Sequence, residues 1–223
     1  MISERRLKAP GKRGFIMPIC SLPRSLNLKQ AAIVCAFVSI AAAPHQSALA
    51  ITLQAKGGGV FLSGSIKAGD HIEFREFLAQ TNARFIDLDS KGGSIEAAGQ
   101  IGYIIRSKKL PTVVDASRST CGSACTIIFA SGTTRHYLGA EKIGDHVGGT
   151  KEKGLAYHEG NNFLANGAKG QSGAATGQAI GWYYEFGSSK AKELAIRADW
   201  KHFYYVSSAT ALELGLATST KRP

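Results

Sequence analysis

A serine lies between two cysteines in the middle of this chain, with Cys121 and Cys125 on either side of Ser123. The apolar residues 111–115 predict a strand, and residues 123–131 predict a buried helix. Ser123 is therefore expected on a strand-to-helix turn, at the positive end of a helix dipole. A hydroxyl there is a candidate nucleophile, provided that a base takes its proton. The alternative is that this small residue only lets the helix pack close to the sheet.

A glycine pair, Gly92 and Gly93, forms a second turn between a predicted strand and a predicted helix. Glycine lets the chain approach a substrate closely and adopt positive φ. The backbone N–H groups of Gly93 and Ala124 are therefore candidates for an oxyanion hole. The pair is also compatible with a simple tight turn before a helix.

A histidine at the end of a predicted strand, His146, is the candidate general base. The alternative is a structural histidine that only makes hydrogen bonds. Asp145 is not expected to orient His146, because adjacent residues of a strand point to opposite faces.

Three short motifs carry a family resemblance, and in chain order they are Leu88-Asp89-Ser90-Lys91-Gly92-Gly93-Ser94-Ile95, Gly122-Ser123-Ala124 and Ile143-Gly144-Asp145-His146. Together with residues 205–217 they resemble the proteolytic subunit of the Clp protease, and more closely the exported Clp-subunit-like proteins of bacteria within the ClpP/crotonase superfamily. The resemblance covers about residues 61–216, with 148–188 poorly matched. It implies an α/β spiral of repeated β-β-α units, with a mainly parallel sheet flanked by helices. It also implies a nucleophilic Ser123 and a basic His146.

The family has a catalytic triad of serine, histidine and an acidic residue, and this chain departs from it at the acidic position. The position of the family's acidic residue falls on Phe203, which cannot orient an imidazole. Asp199 lies four residues earlier, one turn away if the segment is helical, and is the candidate substitute. Otherwise the site is a Ser–His dyad, or the fold is kept without the activity. Glu96, the remaining nearby carboxylate, is most simply a solvated residue of a first helical turn.

Elements are predicted along the chain from apolar periodicity and from capping residues. The predicted strands are 60–66, 84–88, 112–115, 135–138 and 141–146. The predicted helices are 70–82, 94–108, 123–131, 178–186, 189–200 and 209–214. Residues 148–177 are rich in glycine and are expected to form a loop or lid.

The first fifty residues have the pattern of a secretory signal, with a basic n-region, an apolar h-region at 31–43 and an A-x-A cleavage site ending at Ala50. The apolar stretch is shorter than the about 20 residues that a spanning helix needs. We therefore expect cleavage after Ala50 and a periplasmic or secreted domain at 51–223. A translation start at Met17 instead of Met1 would leave a shorter signal with the same cleavage site. The alternative is an uncleaved membrane anchor.

Charge and cysteine content limit the classes of partner and cofactor that the exported domain is expected to have. The whole chain carries a net charge of +11. Much of it lies in the signal, and no basic run with interleaved aromatic residues indicates nucleic-acid binding. Cys121 and Cys125 remain after cleavage and are candidates for a disulfide, the alternative being two buried thiols. Two cysteines alone do not make a metal site, and no cofactor is expected.

The sequence therefore predicts an exported serine hydrolase, a peptidase that acts on a peptide or protein substrate. A catalytically silent binding or scaffold protein of the cell envelope is the first alternative. A crotonase-type acyl-thioester enzyme is the second, although coenzyme A is cytoplasmic. An exported enzyme would lack ATP, so an ATP-driven unfoldase partner is not expected, whereas a homo-oligomer is compatible with the resemblance.

Overall fold

A computed structural model describes residues 50–163 and 167–223 of the chain. The predicted signal segment, except for Ala50 at its end, lies outside the described residues. In these residues the elements in chain order are β1 (Thr52–Lys56), β2 (Gly59–Ser63), α1 (Asp70–Ala79), β3 (Ile86–Asp89), α2 (Ile95–Ser107), β4 (Thr112–Asp115), β5 (Thr120–Gly122), α3 (Ala124–Ser131), β6 (Arg135–Leu138), β7 (His146–Gly148), β8 (Gly154–Tyr157), β9 (Asn161–Phe163), β10 (Lys169–Gln171), α4 (Gly173–Glu185), α5 (Ala191–Ala195), β11 (Phe203–Tyr205) and α6 (Ser208–Glu213).

The larger sheet has five strands in the order β1-β2-β3-β4-β6. Strands β2, β3, β4 and β6 are parallel, and β1 is an antiparallel edge strand. Parallel neighbours need crossover connections, which α1, α2 and α3 provide. Leu62 and Leu88 of the sheet and Ile101 and Ile128 of the helices are completely buried in one core. Burial of this apolar face holds the helices on the sheet.

A smaller sheet has the strand order β5-β8-β11-β7. Strand β5 is parallel to β8, while β11 is antiparallel to both of its neighbours. Isolated parallel bridges continue this layer between Ser90 and Cys121 and between Ile66 and Gly93. The chain thus alternates between a strand of the larger sheet, a segment of the second layer and a helix, as in β4-β5-α3. This arrangement confirms the α/β fold of β-β-α units.

Two helices begin at capping residues that the sequence identifies. Ser94 accepts a hydrogen bond from the Ala97 N–H before α2, and Ser207 accepts one from the Thr210 N–H before α6. Helix α1 differs, because it begins after Gly69, which makes no side-chain cap, and Asp70 is its first residue.

The segment 148–177 is the largest difference from the sequence-based assignment. It contains β8, β9, β10 and the first turn of α4 instead of one loop. Strand β8 is buried throughout, so its short sequence shows no alternation of apolar and polar residues. The predicted strand 141–146 is replaced by β7, which begins at His146, and the predicted helix 189–200 shortens to α5.

No helix within residues 50–163 and 167–223 is long and apolar enough to cross a bilayer.

Candidate active site

Ser123 lies on a strained turn between β5 and α3. Its φ of 53° and ψ of −129° are unfavourable for a residue with a side chain. The Ser123 N–H donates to the carbonyl of Ala156 on β8 at 3.0 Å, which fixes the turn against the smaller sheet. Gly122 and Ala124 are buried, but Ser123 is half-buried and its side chain borders a cleft.

A disulfide joins the two cysteines that flank this turn. The Sγ atoms of Cys121 and Cys125 are 2.11 Å apart, and both residues are fully buried. The bond ties the middle of β5 to the first turn of α3. It therefore restrains the backbone on both sides of Ser123.

The turn that contains the glycine pair packs directly against the Ser123 turn. Gly92 has a φ of 96° and Gly93 a φ of 143°. A Cβ atom on Gly92 would lie 2.8 Å from the Ala124 nitrogen, and one on Gly93 would overlap the carbonyl oxygen of Ile66. Within the described ranges, the N–H groups of Gly93 and Ala124 donate to no acceptor. Two free donors beside a serine are what an oxyanion hole requires.

The cleft at Ser123 has a volume of about 590 Å³. Side chains from several segments line it, among them His158, Lys169, His202 and Phe203. It continues on one side into a second cleft of about 540 Å³, with which it shares Ser65, Lys91 and Gly92. On the other side it shares Gly93, Ser94, Asn161 and Asn162 with a third cleft of about 420 Å³.

The structure does not bring His146 to Ser123. One row across the smaller sheet runs from Gly122 through Ala156 and Tyr205 to His146. Three strand spacings place His146 roughly 14 Å from Gly122. That separation is beyond the reach of an imidazole, and His146 does not line the cleft.

His146 has other partners. Its Nδ1 lies 2.8 Å from the carbonyl oxygen of Gly144, and its Nε2 lies 2.6 Å from Oε2 of Glu152. The ring stacks on Tyr205 with centroids 5.3 Å apart. The Gly144 carbonyl and then the Glu152 carboxylate raise the pKa of His146. The pairing of His146 with Ser123 is therefore corrected, because two strands, β8 and β11, separate them.

A different histidine, His158, lies in the cleft with Ser123. It directly follows β8, the strand that pairs with β5. Its Nδ1 is buried, with no hydrogen-bond partner in the described part of the chain. Burial lowers the pKa of His158, against opposing effects of the Glu159 backbone and the Asp199 charge. Its local sequence signal is that it ends the short apolar run 155–157, which does not by itself place the imidazole in the cleft.

Phe203 occupies the place next to this histidine. The rings of His158 and Phe203 lie 5.0 Å apart, and a Cβ on Gly122 would lie 2.8 Å from the Phe203 ring. At the position that the resemblance assigns to the acidic residue, an apolar ring thus packs against the imidazole of His158 and against Gly122, next to Ser123.

Asp199 orients a third histidine, His202. Its Oδ1 lies 2.9 Å from Nδ1 of His202 and accepts hydrogen bonds from the N–H groups of Lys201 and His202. The Lys201 N–H, followed by the His202 side chain, lowers the pKa of Asp199. Asp199 makes no contact with His146 among the hydrogen bonds and ion pairs of the described residues.

The site can therefore support acyl transfer through a hydroxyl, two amide donors and an imidazole. Residues 50–163 and 167–223 contain no group of three or more His, Cys, Asp or Glu side chains that could hold a metal ion.

No protein-family model and no curated protein matches this chain. Among solved structures, it resembles a lysine-to-alanine mutant of the 1510-N membrane-bound stomatin-specific protease in complex with a substrate peptide, with 17% identity and a TM-score of 0.50 over 73% of this chain and 74% of that chain. A serine-to-alanine mutant of that protease has 17% identity and a TM-score of 0.49 over 73% and 78% of the two chains. An enoyl CoA isomerase from M. smegmatis has 11% identity and a TM-score of 0.42 over 76% of each. At this identity the likeness shows the fold alone, a ClpP/crotonase-like α/β fold.

Proposed function

We propose that this protein is a serine hydrolase, and specifically a peptidase, in which Ser123 is the nucleophile and His158 the general base. One observation carries the proposal: the strained Ser123 turn, Gly93 with its unpartnered N–H group and the half-buried His158 line the same cleft. The fold is one that the 1510-N stomatin-specific protease also has, and a mutant of that protease forms a complex with a substrate peptide.

The reaction follows from these positions. His158 takes the hydroxyl proton of Ser123 as the oxygen attacks the carbonyl carbon of the substrate. The N–H groups of Gly93 and Ala124 then stabilise the negative charge on the carbonyl oxygen. His158 returns the proton to the leaving amine, and an acyl group remains on Ser123. Water attacks this ester, again with His158 as base, and releases the acid.

The environment of His158 suits a base that works without a carboxylate. Burial lowers its pKa, so the imidazole is neutral and able to accept a proton near neutral pH. Phe203 holds the ring by packing, where a carboxylate would hold it by a hydrogen bond. His202 and Lys169 line the same cleft and are the competing bases.

A second candidate is a silent binding protein with the same fold. The observation that favours it is the unpartnered Nδ1 of His158 beside Phe203, since no group there fixes the tautomer of the ring. Such a protein would keep the cleft and lack an activated serine.

Labelling with a fluorophosphonate probe separates the two candidates, because the probe reacts with activated serines and needs no known substrate. We expect one label per chain, located on Ser123 by mass spectrometry and absent in Ser123→Ala. The matched control is Ser117→Ala, an exposed serine outside the cleft, which should label like the wild type. A correctly folded wild-type protein that takes no label would support the binding protein.

Export remains part of the proposal. It is supported by the signal-like pattern of residues 1–50 and by the Cys121–Cys125 disulfide, since such bonds persist in oxidising compartments. The exported protein is expected to begin at Ile51, which N-terminal sequencing checks. An intact N-terminus in the mature protein would favour the membrane-anchored alternative.

A further inference from the structure

The charge around Ser123 is unevenly distributed along the groove formed by the three connected clefts. Besides Lys169 of β10, the central cleft and the 540 Å³ cleft have four lysines from three separate segments: Lys67 follows β2, Lys91 follows β3, and Lys151 and Lys153 precede β8. All four are exposed, and none forms an ion pair with a described residue. Their positive charge is therefore available to a ligand.

Few carboxylates oppose this charge. The central cleft is lined by no Asp or Glu among the described residues. In the 540 Å³ cleft the acidic side chain is Asp89, whose Oδ1 already accepts a hydrogen bond from the Thr120 N–H at 2.9 Å. Glu152, between two of the lysines in sequence, is held by His146.

The opposite end of the groove differs in chemistry. The 420 Å³ cleft has Glu96 and the amide side chains of Asn161, Asn162 and Gln178, without a lysine. Glu96 accepts hydrogen bonds from Gln100 and Gln178. A chain lying across Ser123 would thus meet positive charge on one side of the reacting bond and neutral or negative groups on the other.

We propose that the groove selects acidic peptides, whose carboxylate side chains lie against Lys91, Lys151 and Lys153 on one side of the scissile bond. This inference rests on the proposed function for the position of that bond, but the binding preference does not require hydrolysis. Complementary charge raises the association rate and discriminates between ligands. Because the lysines are exposed, each contributes modestly and salt screens the effect.

Matched fluorogenic peptides test the inference. A single glutamate or its uncharged isostere glutamine is moved through each position on both sides of the cleaved bond, and kcat/KM is measured. The wild type is expected to prefer glutamate on one side only. Lys151→Gln with Lys153→Gln should reduce that preference, by up to about fivefold per lysine. Higher ionic strength should reduce it as well. Lys142→Gln, an exposed lysine outside the groove, is the matched control and should keep the preference.

Binding of the same peptides to the Ser123→Ala variant, measured by fluorescence anisotropy, separates this inference from the proposed function. Hydrolysis and binding that do not distinguish glutamate from glutamine would overturn the inference and leave the hydrolase standing. Tighter binding of the glutamate peptides, lost in the lysine double variant, would support the inference even if the wild type hydrolysed nothing.

Discussion

The Ser123 turn and the His146 segment both match the same family motifs, yet they differ in how the fold fixes them. The turn is held by a disulfide, by a hydrogen bond from the Ser123 N–H to Ala156 and by buried neighbours. His146 is largely exposed and is bonded to Gly144 and Glu152, residues close to it in sequence. A motif therefore locates a residue only where the surrounding core constrains its backbone.

The histidine position instead depends on long-range strand pairing. Strands β8 and β11, which are 45 or more residues apart by their bounds, intervene between β5 and β7. Pairing β5 with β8 places His158 in the same cleft as Ser123, and His146 lies on β7 at the edge of the sheet. Each prediction below concerns a change either at the Ser123 turn or at the histidines whose positions the strand pairing decides.

The largest effect is expected for Gly92→Ala, on the turn side of the contrast. Its Cβ would lie 2.7 Å from Cβ of Ser123 and 2.8 Å from the Ala124 nitrogen, at a φ of 96°. Blocking the oxyanion donors should lower kcat by about 10²- to 10³-fold. Backbone strain should lower the free energy of unfolding by about 1–3 kcal/mol.

The matched control for that variant is Gly181→Ala, inside α4, where a Cβ meets no atom within 4 Å. Its rate should be unchanged, and the protein should gain about 1 kcal/mol because alanine favours a helix. Equal rates for the two variants would show that the glycine pair has no role in the reaction.

Reduction of the Cys121–Cys125 disulfide should have the next largest effect. The bond closes a very short loop, so it contributes less to stability than the roughly 3 kcal/mol of a 15-residue loop. Its loss should lower Tm by less than about 10 °C. Activity should fall by at least about tenfold, because the Ser123 turn loses its restraint. Two titratable thiols in non-reduced mature protein would contradict this account.

The pH profile of kcat/KM should report the titration of His158, the half-buried histidine of the cleft. His158 acts in its neutral form, and burial lowers its pKa below the ordinary value of 6.5. The rate should therefore remain high as the pH falls to 6.5 and decline only at lower pH. For His146, whose pKa is raised, the decline would begin above pH 6.5. An acidic limb centred above 6.5 would thus count against His158.

The smallest effect is expected for the exposed pair of His146 and Glu152. The raised pKa of His146 means that the pair stabilises the fold fully below pH 6.5 and loses this effect as the pH rises through the folded pKa. Glu152, with a lowered pKa, contributes above 4.5 and loses its part as the pH falls. Because both side chains are exposed, Glu152→Gln should cost at most about 1 kcal/mol near pH 6. Comparing thermal unfolding at pH 6 and pH 8 checks this.

Much of the larger sheet could be predicted, because its strands and helices have local signals. Strands β4 and β6 lie at the predicted bounds, and α2 begins after the capping residue Ser94. The smaller sheet could not be predicted in the same way. Strands β5, β7 and β11 have three residues each, too few to show a period of two.

The residues of the candidate site also differ in whether local sequence or long-range pairing determines their positions. Ser123 and the glycine pair follow from local turn chemistry, which the sequence carries. The choice between His146, His158 and His202 depends on strand order, which joins distant segments of the chain. The glycine pair and Ser123 could be identified from the sequence, whereas the imidazole that faces the cleft could not.

The rate of Ser123 modification by a fluorophosphonate, measured in single variants of each candidate base, tests the central claim most directly. His158→Ala should react about 10²- to 10⁴-fold more slowly than the wild type, the usual contribution of a general base. His146→Ala, His202→Ala and Lys169→Met should stay within about one order of magnitude of the wild type. Loss of reactivity in folded His146→Ala together with retention in folded His158→Ala would contradict the account.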